Sequence, residues 1–385
     1  MAEGESNPQS GEQQQRDEYW MQRALDLARK SIGLASPNPA VGCVLVRNNS
    51  VVGKGFYAYD QRDHAEIVAL RAAGPNAKGS TAYVSLEPCS HTGRTGPCAN
   101  ALIEAGVSRL VVATGDPNPA VNGRGIERLR HAGITVDVGL MSEQARSLND
   151  GFARYIQTHL PFVTLKAGLS LDGRIAPPPE TRAPGAPVII TGQESQAEVH
   201  RMRHASDALI TGINTVLTDN PQLTDRSGLP RRRPLLRAVL DSTLRLPLGS
   251  RLVETANDDL IVFCTTHSAD RRRALESLNI RIEQVEAEPN SARVSLKHVL
   301  TRLGEMEITS ALLEAGAQLN ASALNGHIDK LSLFYAPIFL GPNGVALLET
   351  SSPIKLQPIR TTTAQFGADL RLEAYLRDPW AGLQR

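Results

Sequence analysis

The chain has little of what marks secreted, membrane-spanning or nucleic-acid-binding proteins. Its four cysteines are too few for a disulfide framework, and no apolar run approaches the ~20 residues of a membrane-spanning helix. Aromatic residues make up 4% of the chain and the net charge is +1, which gives no sign of a basic, aromatic-bearing groove. We therefore expect a cytoplasmic protein that binds neither nucleic acid nor membranes.

The 385 residues are enough for two domains with separate cores. Residues 1–16 are polar and rich in Gln, Glu and Ser, which predicts a disordered tail. Strands alternate with helices through the rest of the chain, which indicates an α/β class. We predict one domain over residues 17–150 and a second, different one over residues 160–385.

The stretch from residue 63 to residue 98 holds one histidine and two cysteines in a pattern typical of catalytic zinc. One imidazole (His64) and two thiolates (Cys89 and Cys98) leave the fourth tetrahedral position for water, whose pKa zinc lowers to roughly 7. Glu66, two residues after the histidine, is placed to move protons between that water and a substrate amine. The pattern therefore predicts three zinc ligands and one catalytic glutamate.

Local signals place these residues at the ends of secondary-structure elements. Asp63 is predicted to be the N-cap of a helix that has His64 in its first turn. Pro97 is favoured at a first helical position, so Cys98 lies where a helix dipole favours the thiolate. A strand over residues 81–86 delivers Cys89 to the same place.

Other readings of the same residues stay open. Asp63 and Glu66 also fit a purely structural capping box, and a lone cysteine is usually a small core residue. A structural zinc module fills all four positions with Cys or His, and no fourth ligand lies nearby. A nucleic-acid-base deaminase or binder would need a basic, aromatic-bearing groove, which the composition does not indicate.

The second half begins with a predicted strand over residues 162–166 and a turn over residues 170–173. Residues 177–187 hold five prolines and are expected to form a loop. A strand over residues 188–191, a helix over residues 195–204 and a strand over residues 207–212 follow. Further strands and helices alternate as far as residue 339.

Several segments together resemble the bifunctional deaminase–reductase family of riboflavin biosynthesis. They are Asn38–Gly42, His64–Glu66, Glu87–Cys98, Asp116–Pro119 and Lys166–Arg174. The eight-residue gap between the cysteines is the discriminating feature, because cytidine, guanine and tRNA-adenosine deaminases place them closer together. The resemblance covers about residues 17–350 in the family's order.

The resemblance implies a fold and a function for each domain. The first would be a cytidine-deaminase-like three-layer α/β/α domain that uses Zn²⁺ to remove an amine from 2,5-diamino-6-(5-phosphoribosylamino)pyrimidin-4(3H)-one. The second would be a dihydrofolate-reductase-like α/β domain that uses NADPH to reduce the ribosyl group to ribityl. The partners are then a phosphoribosyl pyrimidine and, by the family's architecture, further copies of the chain in a homo-oligomer.

The resemblance also implies residue roles. Asn38 would bind the deaminase substrate, although Asn-Pro is also ordinary turn chemistry. His91 and Arg94 lie in the long loop and could reach its phosphate, but for either residue alone a solvated loop is the favoured interpretation. In the second domain, four residues would contact the cofactor and four the substrate: Gly168, Thr215, Asp219 and Gly316; Arg203, Leu223, Arg226 and Glu314. Arg203 and Arg226 would grip phosphate as planar forks.

The chain departs from the family pattern at two positions of the second domain. Ile189 takes the place of a tryptophan, and Ala315 stands within the usual Glu-Gly-Gly. The isoleucine loses a flat contact surface, and the alanine adds a methyl group where backbone approaches a phosphate or adopts positive φ. An alternative is therefore an active deaminase joined to a degenerate, non-reducing C-terminal domain.

Overall fold

The structure is a computed structural model that describes residues 8–90, 96–182 and 188–382.

The chain forms two compact units. The first comprises Met1–Gln157, Pro230–Arg232 and Trp380–Arg385, and the second comprises Thr158–Leu229 and Arg233–Pro379. The two short later segments lie outside the range 17–150 predicted for the first domain. Within the first unit, Trp380 packs with Leu86 and Ala153, and its indole N–H donates to Asp150 Oδ1 at 3.0 Å. Among the described residues, no helix has the length and apolar character needed to cross a membrane.

The first unit is built on a five-stranded sheet. Its strands are β1 Gly42–Arg47, β2 Ser50–Phe56, β3 Thr81–Val84, β4 Arg109–Val112 and β5 Thr135–Val138. Its helices are α1 Pro8–Arg29, α2 Ala65–Ala73, α3 Cys98–Glu104, α4 Arg124–His131, α5 Ser142–Ser147 and α6 Asp150–Thr158. The strand order is β2-β1-β3-β4-β5, and the last three strands run parallel.

Helices cover both faces of this sheet, as the three-layer prediction requires. Val44 and Tyr83 point to one face, where Met21 and Leu25 of α1 are buried. Residues of opposite parity in the strands pack against helices α2, α3 and α4 on the other face. Alternate residues of a strand face opposite sides, so these short apolar strands supply both cores.

The first helix begins earlier than predicted. The disordered tail is wrong for residues 8–16, which belong to α1, while residues 1–7 lie outside the described part. Asp17 is buried and accepts two hydrogen bonds of 2.8 Å from Arg109. Gln13 donates to Asp17 and Gln14 to Glu18, four residues apart. Such pairs stabilise a helix whose polar composition alone suggests disorder.

The second unit is built on a nine-stranded mixed sheet of order β11-β10-β9-β8-β12-β6-β13-β16-β15. Its strands are β6 Phe162–Ser170, β7 Arg174–Ala176, β8 Ala208–Gly212, β9 Leu236–Leu240, β10 Leu260–Cys264, β11 Arg281–Gln284, β12 Ser310–Leu313, β13 Lys330–Ala336, β14 Val345–Ala346, β15 Arg360–Phe366 and β16 Asp369–Tyr375. Its helices are α7 Gln193–Ala205, α8 Ile213–Asp219, α9 Arg251–Glu254, α10 Ala269–Glu276, α11 Leu296–Glu305 and α12 Ala317–Ala323. Strands β7 and β14 pair separately.

The second sheet also has a core on each face. Helix α11 packs on one face with Leu165 and Ile210, and helices α8, α9 and α10 pack on the other with Leu209 and Val239. The predicted strand over residues 188–191 is wrong, because that segment has no strand pairing and Ile189 is 61% exposed. The C-terminal antiparallel pair β15–β16 was not predicted, since its strands are largely polar and half exposed.

Candidate active sites

Three elements of the first unit bring the predicted zinc ligands together. His64 immediately precedes α2, Cys98 is the first residue of α3, and Cys89 lies five residues beyond the end of β3. The His64 Nδ1 atom lies 3.2 Å from Cys98 Sγ and 3.6 Å from Cys89 Sγ. All three ligand atoms lie within 4.8 Å of one another.

This donor set fits zinc. Tetrahedral zinc with ordinary Zn–N and Zn–S bonds holds N and S atoms about 3.6 Å apart, close to the spacings found. Zinc favours imidazole and thiolate donors. The hydrogen bond with Cys98 lowers the pKa of Cys89 well below its usual value, which favours the thiolate that zinc binds. Three protein donors leave a position open for water, as in hydrolytic zinc sites.

The helix start differs in detail from the prediction. His64, not Asp63, occupies the N-cap position of α2, and its side chain makes no capping hydrogen bond. Asp63 instead pairs with Arg71 at 2.7 Å. The capping-box reading of Glu66 therefore loses its partner, and the His64 ring is left to face the two cysteines.

Glu66 is buried beside the cluster, with 3% of its surface exposed. The pKa of Glu66 is raised to about 7, chiefly by burial, with the charge of His64 opposing the shift and that of Cys89 supporting it. A carboxyl group in this setting is suited to both accepting and donating a proton near neutral pH.

Two glycines of β2 determine how closely α2 approaches the sheet. A Cβ atom on Gly53 would lie 2.2 Å from the Ala69 carbonyl oxygen, and one on Gly55 would lie 2.3 Å from that of Ala65. Real side chains do not tolerate such distances, so only glycine allows this spacing. The depth of His64 and Glu66 beside the sheet depends on it.

Glu87 is a site residue that the sequence analysis did not single out. Its buried carboxylate accepts four backbone N–H bonds, from Asp116 at 3.2 Å, Gly123 at 2.9 Å, Gly125 at 2.9 Å and Ile126 at 3.2 Å. It thereby joins the chain just before Cys89 to the start of α4. One signal could have found it: a glutamate directly before Pro-Cys, shortly after a buried strand.

Asn38 is connected to the predicted zinc ligand His64 by one intermediate side chain, that of Tyr57. Its amide nitrogen donates to the Tyr57 hydroxyl at 2.7 Å, and the Tyr57 ring meets the His64 ring edge-on at 5.5 Å between centroids. The structure thus brings Asn38 to the edge of the cluster. His91 and Arg94 lie outside the described residues.

A cleft of about 1360 Å³ lies within the second unit. All eight residues predicted there to contact cofactor or substrate line it: Gly168, Arg203, Thr215, Asp219, Leu223, Arg226, Glu314 and Gly316. They come from the ends of several strands and the loops that follow, as ligand sites of α/β sheets commonly do. The volume exceeds that of an ordinary small-molecule pocket and suits a dinucleotide with a second ligand.

Arg203 and Glu314 form a bidentate ion pair at the base of this cleft, with N–O distances of 2.7 and 2.9 Å. Arg203 also donates to the Thr224 carbonyl at 3.2 Å. Burial raises the pKa of Glu314, but the charge and hydrogen bonds of Arg203 outweigh it and lower the pKa to about 2. The fork of Arg203, predicted to grip phosphate, therefore faces a carboxylate in this structure, whereas Arg226 is exposed.

Two further features of the cleft were not anticipated. Lys166 of β6 lines the cleft. Burial lowers the pKa of its amine, although the charge of Glu314 acts in the opposite direction. Leu223 is buried and has φ of 56°, a conformation that non-glycine residues adopt rarely. A sequence shows neither a buried cation's neighbours nor a strained backbone.

The cleft offers polar groups suited to a nicotinamide dinucleotide. Asp219 lines it with a buried Oδ1 atom that has no hydrogen-bond partner among the described residues. Gly316 lies at the N-cap of α12. A Cβ atom placed on Gly316 would lie 3.9 Å from Thr215 Oγ1. A buried acceptor without a partner is costly unless a ligand or water satisfies it, so these residues fit NADPH.

The two departures from the family pattern leave the cleft intact. Ile189 lines it although it is highly exposed, and Ala315 lines it without adopting positive φ. The methyl group of Ala315 therefore causes no backbone strain.

Comparisons with known proteins agree with this geometry. Residues 14–114 match the model of the cytidine and deoxycytidylate deaminase zinc-binding region, and residues 161–371 match that of the RibD C-terminal domain. The riboflavin biosynthesis protein RibD of Actinobacillus pleuropneumoniae is 37% identical over 94% of this chain and 95% of its own length. The chain belongs to the RibD family. The RibD protein of Escherichia coli is 39% identical over 86% of this chain and 90% of its own length.

Solved RibD structures resemble the whole chain. That of Acinetobacter baumannii RibD has a TM-score of 0.79 at 37% identity and covers 95% of this chain and 100% of the other. A Thermotoga maritima protein described as a diaminohydroxyphosphoribosylaminopyrimidine deaminase/5-amino-6-(5-phosphoribosylamino)uracil reductase has a TM-score of 0.77 at 31% identity, covering 95% and 100%. RibD proteins are bifunctional, and this chain has both the zinc-binding deaminase domain and the NADPH-using reductase domain. Nothing in these comparisons favours a degenerate second domain.

Proposed function

We propose that the first unit removes the amine from 2,5-diamino-6-(5-phosphoribosylamino)pyrimidin-4(3H)-one by hydrolysis. The second unit then reduces the ribosyl group of the product to ribityl with NADPH. One observation carries the proposal: His64, Cys89 and Cys98 converge within 4.8 Å beside a buried Glu66. The name of the Thermotoga maritima relative, which gives both activities, supports the choice of substrate.

His64, Cys89 and Cys98 are the residues that would hold zinc. In that position a zinc ion supplies Lewis acidity, which makes water a nucleophile near neutral pH. Cys98 begins α3 and its backbone N–H points to Cys89 Sγ at 3.4 Å. This contact stabilises the thiolate that binding requires.

Glu66 would act as the proton carrier. Its carboxylate would take a proton from the attacking water and return one to the departing amine. Burial excludes competing solvent protons from this group. Asn38, already oriented by the Tyr57 hydroxyl, would donate a hydrogen bond to the pyrimidine.

In the second unit, Gly168, Thr215, Asp219 and Gly316 would hold NADPH, which supplies hydride. Leu223, Arg226 and Glu314 would contact the phosphoribosyl substrate, with the exposed guanidinium of Arg226 on its phosphate. Arg203 would act mainly by fixing the Glu314 carboxylate through its two hydrogen bonds. A rigidly held carboxylate can orient sugar hydroxyls for hydride transfer.

Two further predictions concern the cellular location of the protein and its assembly. All four cysteines are free and buried in the structure, which supports a reducing, cytoplasmic setting for the protein. Assembly into a homo-oligomer rests on the family resemblance and is measured directly by sedimentation.

The test is an assay on zinc-quantified protein that follows ammonia release and NADPH oxidation separately. With the diaminopyrimidinone as substrate, we expect ammonia release first and NADPH oxidation after a lag. Supplying the deaminated intermediate directly should abolish the lag. Ammonia release without NADPH oxidation, even from the supplied intermediate, would support the degenerate alternative. Zinc-loaded protein that releases no ammonia would refute the deaminase assignment.

A further inference from the structure

Pro230–Arg232 belongs to the first unit although it lies within the segment that matches the RibD C-terminal domain. The neighbouring residues on both sides, up to Leu229 and from Arg233, belong to the second unit. This short segment reaches the stretch between α1 and β1, which carries Asn38. Its contacts there are specific, and they centre on one side chain.

Arg232 contacts that stretch at two points and Tyr59, which is hydrogen-bonded to the stretch, at a third. Its backbone N–H donates to the Gly33 carbonyl at 2.8 Å, and its Nη2 donates to the Ser36 carbonyl at 2.8 Å. Its guanidinium lies over the Tyr59 ring, 4.1 Å from the centroid. Tyr59 in turn donates its backbone N–H to the Leu34 carbonyl at 3.0 Å. A charged hydrogen bond and a close cation–π contact each stabilise the loop conformation in which they form.

The stretch that Arg232 holds leads directly to the deaminase site. Asn38 follows Ser36 by two residues, and its backbone N–H donates to the Ala35 carbonyl at 3.0 Å. Its side chain then reaches the Tyr57 hydroxyl, and the Tyr57 ring contacts His64. A shift of Ser36 would move Asn38 relative to the zinc ligands without touching any of them.

We propose that Arg232 is a positioning residue of the deaminase, supplied from within the reductase part of the sequence. It acts through Ser36 and Tyr59 to hold Asn38 in the orientation that binds the pyrimidine. The effect on substrate binding rests on the proposed role of Asn38. The clamp itself rests only on the contacts above.

The main experiment compares Arg232→Ala with Arg233→Ala in the full-length, zinc-loaded protein. Arg233 is a matched control because it is the next residue and its side chain donates to the Glu307 carbonyl at 3.1 Å in the second unit. We expect Arg232→Ala to raise the KM for ammonia release about tenfold, with a much smaller change in kcat. Zinc content and reduction of the supplied intermediate should match the parent. Arg232→Lys, which keeps a cation and a donor, should recover part of the loss.

A second readout does not depend on activity. Hydrogen exchange at the amides of Ala35 and Asn38 should accelerate in Arg232→Ala and not in Arg233→Ala. Parental KM together with parental exchange at these amides would overturn the proposal. Faster exchange without any change in KM would overturn the role in substrate binding.

Two further outcomes are distinguishable. If the parent releases no ammonia, the proposed function fails, and the exchange measurement still decides whether the clamp exists. If Arg232→Ala does not fold, Tyr59→Leu takes its place, since it removes the aromatic partner alone. A raised KM in Tyr59→Leu then supports the proposal, and an unchanged KM overturns it.

Discussion

The two units solve the problem of assembling a site in different ways. The predicted zinc ligands and Glu66 lie between residues 64 and 98, and all of them lie at helix starts or just beyond a strand. The reductase residues are spread from Gly168 to Gly316 around a cleft of about 1360 Å³. The first site is compact because one ion must touch three atoms. The second is distributed because a dinucleotide and a sugar phosphate are long.

The difference has a consequence for what each site depends on. In the first, the geometry depends on backbone approach, through Gly53, Gly55 and the four N–H bonds to Glu87. In the second, it depends on a buried ion pair between Arg203 and Glu314. The protein therefore allows one site to be disabled while the other serves as an internal control.

Removing zinc should give the largest effect. A chelator should reduce ammonia release to background while the supplied intermediate is still reduced at the parental rate, because zinc is predicted only in the first unit. Zinc content and both reactions are measured on the same sample. Adding zinc back is the control, and it should restore ammonia release. Equal loss of both reactions would contradict the separation of the sites.

The variant Glu66→Gln should come next. It preserves shape but cannot carry a proton, so ammonia release should fall roughly 10²- to 10⁴-fold. Zinc content and reduction of the supplied intermediate should stay unchanged. Ammonia release within twofold of the parent would show that Glu66 is not the proton carrier.

Breaking the ion pair should affect stability in the other unit. Glu314→Gln leaves Arg203 buried without its carboxylate, at a cost of about 3–5 kcal/mol in the free energy of unfolding. The matched control is Glu276→Gln, which breaks an exposed pair with Arg272 and should cost at most about 1 kcal/mol. Urea unfolding at pH 7 measures both. Similar costs for the two variants would argue against a structural role for the buried pair.

The same pair predicts a pH dependence. The folded-state pKa of Glu314 is lowered from 4.5 to about 2, so its contribution is fully present above pH 4.5. It is lost as the pH falls from 4.5 through about 2, because protonation then favours the unfolded chain. The stability difference between the parent and Glu314→Gln should narrow over this range in acid unfolding, and a constant difference would contradict the pair's charge.

NADPH should stabilise the protein by a smaller amount. At a concentration of 100 times its Kd, a ligand that binds only the folded state adds about 2.7 kcal/mol. Thermal unfolding with and without NADPH measures this shift, and adenosine alone serves as the control. A saturating amount of NADPH that causes no shift would favour the degenerate alternative.

Glu87→Gln should have the smallest effect. The amide can accept fewer of the four N–H bonds and presents its own donors to the rest, which costs about 1–3 kcal/mol. Weaker zinc binding should accompany the loss, because Cys89 follows two residues later. Competition with a chelator measures it. Zinc affinity equal to that of the parent would limit Glu87 to a role in stability.

Much of the fold was predictable because the signals were local. Buried strands such as β1 and β9 are short apolar runs, and α7 begins and ends within two residues of the prediction. Residues 188–191 have the same apolar composition as a strand but line the cleft instead. Composition alone cannot tell a paired strand from an unpaired segment, because tertiary contacts decide whether residues with high β-propensity pair in a sheet.

The candidate sites were predictable to a different depth. The ligand set follows from His64, Cys89 and Cys98 themselves, and the structure brings them together. Glu87, Lys166 and Arg232 were missed because their significance lies in which distant groups they meet. Glu87 binds backbone N–H groups that no residue identity reveals, and Arg232 lies about 200 residues from its partner Ser36 in the sequence.

The glycines of β2 limit how this enzyme can change. Neither Gly53 nor Gly55 is predicted to touch substrate or metal, yet a single methyl group at either would displace α2. In a library of variants selected for deamination of new pyrimidines, substitutions here should disappear as completely as those of the metal ligands. The requirement for glycine at these two strand positions therefore limits which sequences can form this hydrolytic site, although neither glycine carries a reactive group.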